Sequence, residues 1–274
     1  MVSKNTPSRA ECSVLLVGDS LTAAGVYPDQ LASLFAQPEN PKLHMLGTQT
    51  RKPAQSTNSH VAFEGYGGWS WKGFFSRYDP QPAESGKVNK SPFVFPRGEP
   101  VAYGTDFKRY IDERLGGITP DIICVLLGIN DCFRLKADEP TAMDQGITEM
   151  LLNAENLISE FRKAAPQATI GICLVPPPND REGAFEANYK GQYPRWNWKR
   201  VQHRLVERQL KHFSLREKEL IEVIPTELSV DTWNGYPDAN AVHPNEAGYR
   251  QIASNLHAWI RHTLSKPETA KDKR

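Results

Sequence analysis

Cysteine is scarce in this chain, with four residues among 274. They stand at Cys12, Cys124, Cys132 and Cys173, and three of them fall inside apolar runs, where cysteine behaves as a small buried hydrophobe. No closely spaced pair of the zinc-binding type exists, and so few cysteines in so long a chain argue against a disulfide framework. We therefore expect neither a metal site nor a disulfide-rich fold.

Excess charge and long apolar runs are also lacking. The 33 basic and 32 acidic side chains give a formal net charge of +1, so nothing favours a nucleic-acid partner. No run approaches the roughly 18 apolar residues of a membrane span, and residues 1–11 are polar, without the apolar stretch of a signal peptide. As given, the sequence predicts a soluble cytoplasmic protein with no membrane partner, although a removed export signal would leave no trace in it.

Several widespread motifs are missing as well. There is no GxSxG nucleophile elbow, which disfavours the α/β-hydrolase fold. Neither GxGxxG nor GxxxxGK[ST] is present, so the glycine-rich loops that hold dinucleotides and phosphates are lacking. We expect no cofactor.

The chain does have an apolar strand that ends in a serine. The segment Cys12–Val17 runs into Gly18-Asp19-Ser20 and then into a helix-compatible stretch. Open α/β sheets keep their chemistry at the carboxyl ends of strands, and a serine there lies near the free N–H groups of the next helix, which stabilise an oxyanion. Ser20 is the candidate nucleophile, although Gly-Asp-Ser alone is also an ordinary helix-capping turn.

Strand-like and helix-like segments alternate along the chain. The five strand candidates are Cys12–Val17, Leu43–Leu46, Ile122–Leu127, Thr169–Val175 and Leu220–Ile224. Their alternation with amphipathic helices predicts an α/β fold with a five-stranded, mainly parallel sheet covered on both faces. A chain of this length suits one core, so we expect a single domain over residues 1–274. Its less regular parts are a polar N-terminal segment at 1–11, an irregular proline-rich insertion at 79–105 and a charged tail at 266–274.

Three further stretches follow the serine turn: Glu64-Gly-Tyr-Gly-Gly-Trp69, Leu127-Gly-Ile-Asn-Asp131 and Asn240-Ala-Val-His-Pro-Asn245. With Gly18-Asp-Ser20, in this order and at these separations, they resemble the four blocks of the SGNH (GDSL-type) esterase and lipase family. The resemblance spans roughly Val14 to Trp259. It implies a flavodoxin-like three-layer α/β/α sandwich with strand order 2-1-3-4-5.

The same resemblance implies roles for four residues. Ser20 is the nucleophile, the N–H of Gly68 and the side-chain amide of Asn130 complete an oxyanion hole, and His243 is the general base. His243 also fits this role by position, since it follows the last strand and immediately precedes Pro244, where a helix begins. Taken alone, Asn130 and Gly68 would be ordinary turn or capping residues.

The chain departs from the family pattern just before the histidine. The family has Asp three residues earlier, whereas this chain has Asn240. Two hypotheses remain open: Asp238 replaces the missing carboxylate, or the site works as a Ser-His dyad whose ring is oriented by Asn240 or a backbone carbonyl.

Aromatic residues mark the candidate substrate contacts. Trp69 and Trp71 flank the glycine block and are candidates to line the pocket, or else core residues. Tyr189 and Trp196 lie in Asn179–Trp198, an irregular aromatic stretch that either stacks on a sugar ring or packs against the core.

The expected substrate is a small-molecule or saccharide ester. The insertion with Asn89–Pro96 and the following Asp106–Tyr110 resembles the carbohydrate-esterase members of the family. This predicts hydrolysis of short acyl esters, above all acetyl groups on a carbohydrate. Two alternatives share the same fold: an acyltransferase with the same residues, and a flavodoxin-like protein that binds a ligand without turnover. The sequence gives no oligomeric state.

Overall fold

The computed structural model describes residues 11–51, 61–79, 81, 89–98 and 102–266. The strands are β1 (Glu11–Gly18), β2 (Lys42–Leu46), β3 (Gln49–Thr50), β4 (Ala62–Gly65), β5 (Val94–Arg97), β6 (Ala102–Thr105), β7 (Ile122–Leu126), β8 (Thr169–Cys173) and β9 (Ile221–Ile224). The helices are α1 (Ser20–Ala23), α2 (Val26–Phe35), α3 (Trp71–Ser76), α4 (Phe107–Arg114), α5 (Ile129–Cys132), α6 (Pro140–Ala164), α7 (Glu182–Tyr189), α8 (Arg195–Phe213) and α9 (Glu246–Ser265).

The central sheet has seven strands in the order β3-β4-β1-β7-β8-β9, with β2 also paired to β1. Every pairing in it is parallel except the one between β3 and β4. The five strands expected from the sequence occur in the order β2-β1-β7-β8-β9, which confirms the flavodoxin-like order 2-1-3-4-5. The expected count of five strands was wrong, because β3 and β4 extend the sheet.

Strand β4 was not predicted from the sequence, and the reason is physical. It is four residues long and contains Glu64, whose carboxylate is fully buried. A short strand that includes a charged residue contains no apolar run, so a search for apolar runs misses it. Its pairing with β1 covers only Val17–Glu64 and Gly18–Gly65, next to the stretch of β1 that pairs with β2. The two strands therefore share one edge of β1, and β4 delivers the glycine block beside the serine turn.

Helices cover both faces of the sheet. One layer contains α2 and α9, which pack together, and the other contains α3, α4, α6 and α8, gathered around α6. Parallel strands covered in this way are buried on both faces and read as continuous apolar runs. Val14 to Val17 and all of β7 are accordingly buried. Helix α6 turns Ile147, Ala154 and Phe161 into this core.

Two segments expected to be irregular contain regular structure. Within the proline-rich insertion at 79–105, β5 and β6 form a separate two-stranded antiparallel sheet; residues 80, 82–88 and 99–101 lie outside the described residues. The stretch Asn179–Trp198 contains α7 and the start of α8. Helix α7 ends at Tyr189, because the next residue, Lys190, has a left-handed φ of 50° that stops a helix. Pro194 then immediately precedes α8. Closely spaced helix ends made this stretch look irregular.

Other expectations concern composition and the chain ends. The four cysteines are all buried. Among the helices of the described part, none is long and apolar enough to cross a membrane. Most of the polar segment 1–11 and of the charged tail 266–274 lies outside the described residues.

Candidate active site

Ser20 stands at the junction of β1 and α1. Asp19 caps α1, its Oδ1 accepting the backbone N–H of Leu21 at 3.0 Å, and Ser20 is the first residue of the helix. Gly18 must be glycine because a Cβ there would collide with the Thr22 hydroxyl. The turn therefore presents the Ser20 hydroxyl at the carboxyl edge of the sheet, half-buried.

His243 meets this serine from the far end of the chain. Its Nε2 lies 2.8 Å from Ser20 Oγ, a hydrogen-bond distance. The imidazole is half-buried, and burial lowers its pKa from the ordinary value because the charged form loses hydration. At neutral pH the ring is therefore neutral and free to accept a proton.

The amide of Asn240 sets the tautomer of that ring. Asn240 Oδ1 accepts the backbone N–H groups of Val242 and His243 at 3.2 and 2.9 Å, and lies 3.2 Å from His243 Nδ1. An oxygen turned toward two N–H groups is an acceptor, so the proton on the ring belongs on Nδ1. Nε2 is then left with its lone pair facing the Ser20 hydroxyl.

Other amides hold the histidine loop in place. Asn179 Nδ2 donates to the carbonyls of Pro237 and Asn240 at 3.0 and 2.9 Å. Asn188 Oδ1 accepts the backbone N–H of Ala241 at 2.6 Å. The position of the ring thus depends on residues of the β8–α7 connection and of α7 itself.

Asp238 points elsewhere. Its side chain is 90% exposed and its Oδ1 pairs with Arg181 Nε at 3.2 Å. The structure therefore places Asn240, and not Asp238, against the imidazole.

Gly68 lies at the tip of the loop after β4. The N–H of Trp69 donates to the carbonyl of Tyr66 at 3.2 Å, which closes a tight turn, and the N–H of Tyr66 donates to the carbonyl of Gly18 at 3.1 Å. Gly68 has a φ of 75°, a conformation that glycine adopts without strain. Nothing lies within 4 Å of where its Cβ would be. Its backbone is therefore open to a ligand beside the serine turn.

Asn130 joins three of the sequence blocks. It follows Gly128 on α5, and its Nδ2 donates to the carbonyl of Trp69 at 2.9 Å and to Asp19 Oδ2 at 3.3 Å. The longer bond is the weaker one. The amide is thus placed between the serine turn and the glycine turn, with its weakly held hydrogen on the serine side.

Two carboxyl groups at this side of the site, one buried and one half-buried, were not singled out from the sequence. Asp19 and Asp131 each have a pKa raised to about 7, mainly by burial. The charge of Asp131 raises the pKa of Asp19 further, and Asp131 itself accepts the N–H of Trp71 at 3.2 Å. Both flank candidate residues in the sequence, but only the fold shows that Asp19 is buried and Asp131 half-buried at the same side of the site.

The four aromatic candidates divide into two groups. Trp69 and Trp71 are 2% and 1% exposed, so they belong to the core and do not line an open pocket. Trp196 is 55% exposed, with the Arg195 guanidinium 4.3 Å from its ring centre. Tyr189 is half-buried against neighbouring aromatic rings. Only these last two are open to a ligand.

The chain belongs to the GDSL-like Lipase/Acylhydrolase family, whose sequence profile matches residues 16–251. It is therefore an ester hydrolase by family. A search of curated protein sequences found no match. Among the described residues, no group of three or more His, Cys, Asp or Glu side chains is placed to hold a metal ion.

Solved structures share the fold. A carbohydrate esterase family 3 protein from Talaromyces cellulolyticus aligns over 94% of this chain and 100% of its own, with 15% identity and a TM-score of 0.57. A family 3 carbohydrate esterase from Clostridium thermocellum aligns over 93% and 100%, with 16% identity and a TM-score of 0.54. An acetyl esterase mutant solved with an acetate ion aligns over 92% and 98%, with 15% identity and a TM-score of 0.54.

Proposed function

We propose that the protein is a serine esterase that removes short acyl groups, above all acetyl groups, from a carbohydrate. The observation that carries the proposal is the 2.8 Å contact between Ser20 Oγ and His243 Nε2, with the ring oriented through Nδ1. A free hydroxyl is a weak nucleophile at neutral pH and needs such a base. Gly68 and Asn130 lie beside the serine as candidate donors to an oxyanion.

The first half of the reaction forms an acyl-enzyme. Ser20 Oγ bonds to the carbonyl carbon of the ester while His243 Nε2 takes the serine proton. The carbonyl oxygen becomes an oxyanion, which the N–H groups of Ser20 and Gly68 and the amide of Asn130 stabilise. The bond to the alcohol then breaks, and His243 returns the proton to the departing oxygen.

The second half releases the acid. Water attacks the acyl carbon as His243 takes one of its protons, and collapse of the second oxyanion breaks the bond to Ser20 Oγ. The proton goes back to the serine and the free carboxylic acid leaves. Asn240 keeps Nδ1 protonated throughout, so the same lone pair serves both halves.

The carbohydrate part of the proposal has two supports. The structural neighbours include two proteins named as carbohydrate esterases and one named as an acetyl esterase. The exposed ring of Trp196 offers an apolar face of the kind on which a pyranose stacks.

A substrate screen tests the acyl and alcohol parts separately. We expect p-nitrophenyl acetate to be hydrolysed faster than esters of longer acids, and acetylated saccharides to release acetate. A preference for long chains would overturn the carbohydrate assignment. Adding an acceptor sugar and analysing the products separates hydrolysis from acyl transfer.

A covalent probe tests the nucleophile. A serine-reactive phosphonate should label Ser20, and Ser20→Ala should abolish both labelling and hydrolysis without changing the far-UV spectrum. Labelling at another serine would refute the assignment. A wild-type protein that neither reacts nor hydrolyses any ester would instead support the ligand-binding alternative.

A further inference from the structure

A second cavity lies apart from the serine and histidine. It has a volume of about 460 Å³ and is an open cavity lined by residues of β5, β6 and α4 and by Tyr66. Ser20, Asn130 and His243 are not among the residues that line it. The volume falls within the range of small-molecule sites, roughly 300–1,000 Å³.

One wall of this cavity is aromatic. The rings of Tyr78 and Tyr103 stack with their centres 3.5 Å apart, and Phe95 lies beside them in the lining. Tyr103 remains 43% exposed although it is a large apolar ring. An exposed stacked ring offers a flat surface to another ring, so the wall favours a cyclic ligand.

The charged groups of the lining are mostly cationic. They are Lys90, Arg109, Arg114 and Glu113. Arg109 is already engaged, since its Nε lies 2.5 Å from Glu113 Oε1 and its guanidinium lies 4.8 Å from the centre of the Phe95 ring. Among the described residues, no acidic side chain pairs with Lys90 or Arg114. Two cations are thus left to attract an anion.

The inner end of the cavity is polar and does not oppose an anion. Tyr66 and Thr48 line it, and both hydroxyls donate to the buried carboxylate of Glu64, at 2.6 and 3.1 Å. Glu64 also accepts the hydroxyl of Tyr110 at 2.6 Å and the N–H of Thr48 at 2.7 Å. Four hydrogen-bond donors therefore offset the negative charge of the Glu64 carboxylate, so this charge does not oppose an anion in the cavity.

One residue, Tyr66, belongs both to the cavity and to the surroundings of the candidate active site. Tyr66 lines the cavity, and its backbone carbonyl accepts the N–H of Trp69, which shapes the turn that contains Gly68. Tyr66 therefore connects the cavity to the turn that contains the proposed oxyanion donor Gly68.

We propose that this cavity binds a sugar ring that carries a carboxylate, such as a uronic acid unit of the saccharide whose ester is cleaved. The ring is recognised by the Tyr78–Tyr103 pair, and the carboxylate by Lys90 and Arg114. That the ligand is a saccharide rests on the proposed function, whereas the preference for an anion rests on the cavity alone.

Binding can be measured without turnover. The full-length Ser20→Ala variant is titrated with glucuronate, glucose and inorganic phosphate by ligand-observed NMR. We expect glucuronate to bind at least about tenfold more tightly than glucose, because two charge-assisted contacts are added. Lys90→Gln with Arg114→Gln, in the same background, should remove about that tenfold advantage.

A charge-matched control separates local contacts from net charge. Arg200→Gln with Lys211→Gln removes the same two charges from α8, outside the cavity, and should leave glucuronate affinity within about twofold. Tyr103→Ala should weaken glucuronate and leave phosphate unchanged. Thermal melts of each variant check that the fold is retained.

Three outcomes would overturn the inference. Glucose binding as tightly as glucuronate would remove the role of charge, phosphate binding as tightly as glucuronate would remove the role of the ring, and an equal loss in the α8 control would make the effect nonspecific. Hydrolysis of p-nitrophenyl acetate by the wild type is measured in parallel. Hydrolysis without glucuronate binding would sink this inference alone, and glucuronate binding without hydrolysis would sink the proposed function alone.

Discussion

The two sides of the Ser20–His243 contact are held by different chemistry. Beside the serine lie two acids, the buried Asp19 and the half-buried Asp131, whose pKa values are raised to about 7 by loss of hydration. Behind the histidine lies an amide, Asn240, with further amides holding its loop. An amide orients a ring at any pH but supplies no charge to an imidazolium, whereas a buried acid changes charge near neutrality. The groups beside the serine therefore change charge with pH near neutrality, whereas the groups beside the histidine supply no charge to stabilise an imidazolium.

The largest expected effect comes from the serine side. Asn130→Ala removes one of three proposed oxyanion donors, and we expect kcat to fall by roughly 10²–10³, about 2.7–4 kcal/mol. KM should change little, because the donor serves the transition state more than the bound ester. Steady-state kinetics with p-nitrophenyl acetate measures both. An unchanged kcat would return Asn130 to a turn-forming role.

The histidine side is tested by restoring a charge. Asn240→Asp keeps an oxygen for the backbone N–H groups of Val242 and His243 and places a carboxylate on Nδ1. An opposite charge at that distance raises a histidine pKa by about one unit or more. The wild-type acidic limb of kcat/KM should lie below the ordinary histidine value, since burial lowers the pKa of His243, and the variant's limb should move to higher pH.

A pH profile from 4.5 to 8.5 measures this shift, with Asn240→Ala as the control that removes the oxygen without adding charge. At pH 5.5 the Asn240→Asp variant should retain a smaller fraction of its plateau activity than the wild type retains of its own. If its limb coincides with that of the wild type, the carboxylate does not reach Nδ1 and the assigned tautomer has lost its support.

The two acids beside the serine predict a smaller effect, on stability. Their native pKa values are raised from 3.8 to about 7, so the native state holds protons that the unfolded chain releases. Their stabilising contribution is present below about pH 4 and is lost as the pH rises to about 7, with a slope of up to about 1.4 kcal/mol per pH unit for each group. Asp131→Asn should flatten this decline, because it removes one titration and the like charge beside Asp19.

Urea unfolding at pH 4.5, 5.5, 6.5 and 7.5 gives the free energy of unfolding for each protein. Asp112→Asn is the matched control, an acid on the exposed side of α4 paired with Lys108. Equal slopes for wild type and Asp131→Asn would mean that Asp131 does not titrate in the folded state over this range.

Periodicity was enough to predict much of the fold. The five apolar strands follow from segments such as Cys12–Val17 and Ile122–Leu127, because burial on both faces leaves a plain apolar signal. Their order came from the resemblance to the SGNH family and not from periodicity. Strand β4 was missed because its Glu64 is buried with four hydrogen-bond donors, three of them supplied by Thr48 and Tyr110, which lie 16 and 46 residues away in the chain. No local sequence pattern in Ala62–Gly65 indicates those hydrogen-bond partners.

The residues of the candidate site could be predicted from the sequence, but the acids beside the serine and the partner of the imidazole could not. The blocks around Ser20 and His243 stand out as motifs, and the fold brings them within 2.8 Å. That Asp19 is buried and Asp131 half-buried depends on how β1, β4 and α5 pack together. Which side chain faces the imidazole depends on Asn179, which fixes the turn from a position 58 to 61 residues earlier in the chain.

The smallest expected effect is that of a substitution at Asp238. It tests whether acids serve only the serine side of the site. If this carboxylate served the histidine, both sides of the site would depend on acids. Its side chain is 90% exposed and paired with Arg181, and an exposed ion pair contributes only about 0–1 kcal/mol. Asp238→Asn should therefore change kcat/KM by less than about threefold and leave the acidic limb of the pH profile in place.

Arg181→Gln is the matched control, because it breaks the same ion pair and leaves the carboxylate free. If the pair only steadies the loop, both variants should behave alike. A loss greater than about tenfold, 1.4 kcal/mol, in Asp238→Asn but not in Arg181→Gln would mean that the loop rearranges during catalysis and that Asp238 reaches the ring. The histidine side would then carry a charge after all, and the dyad oriented by Asn240 would describe only the resting enzyme.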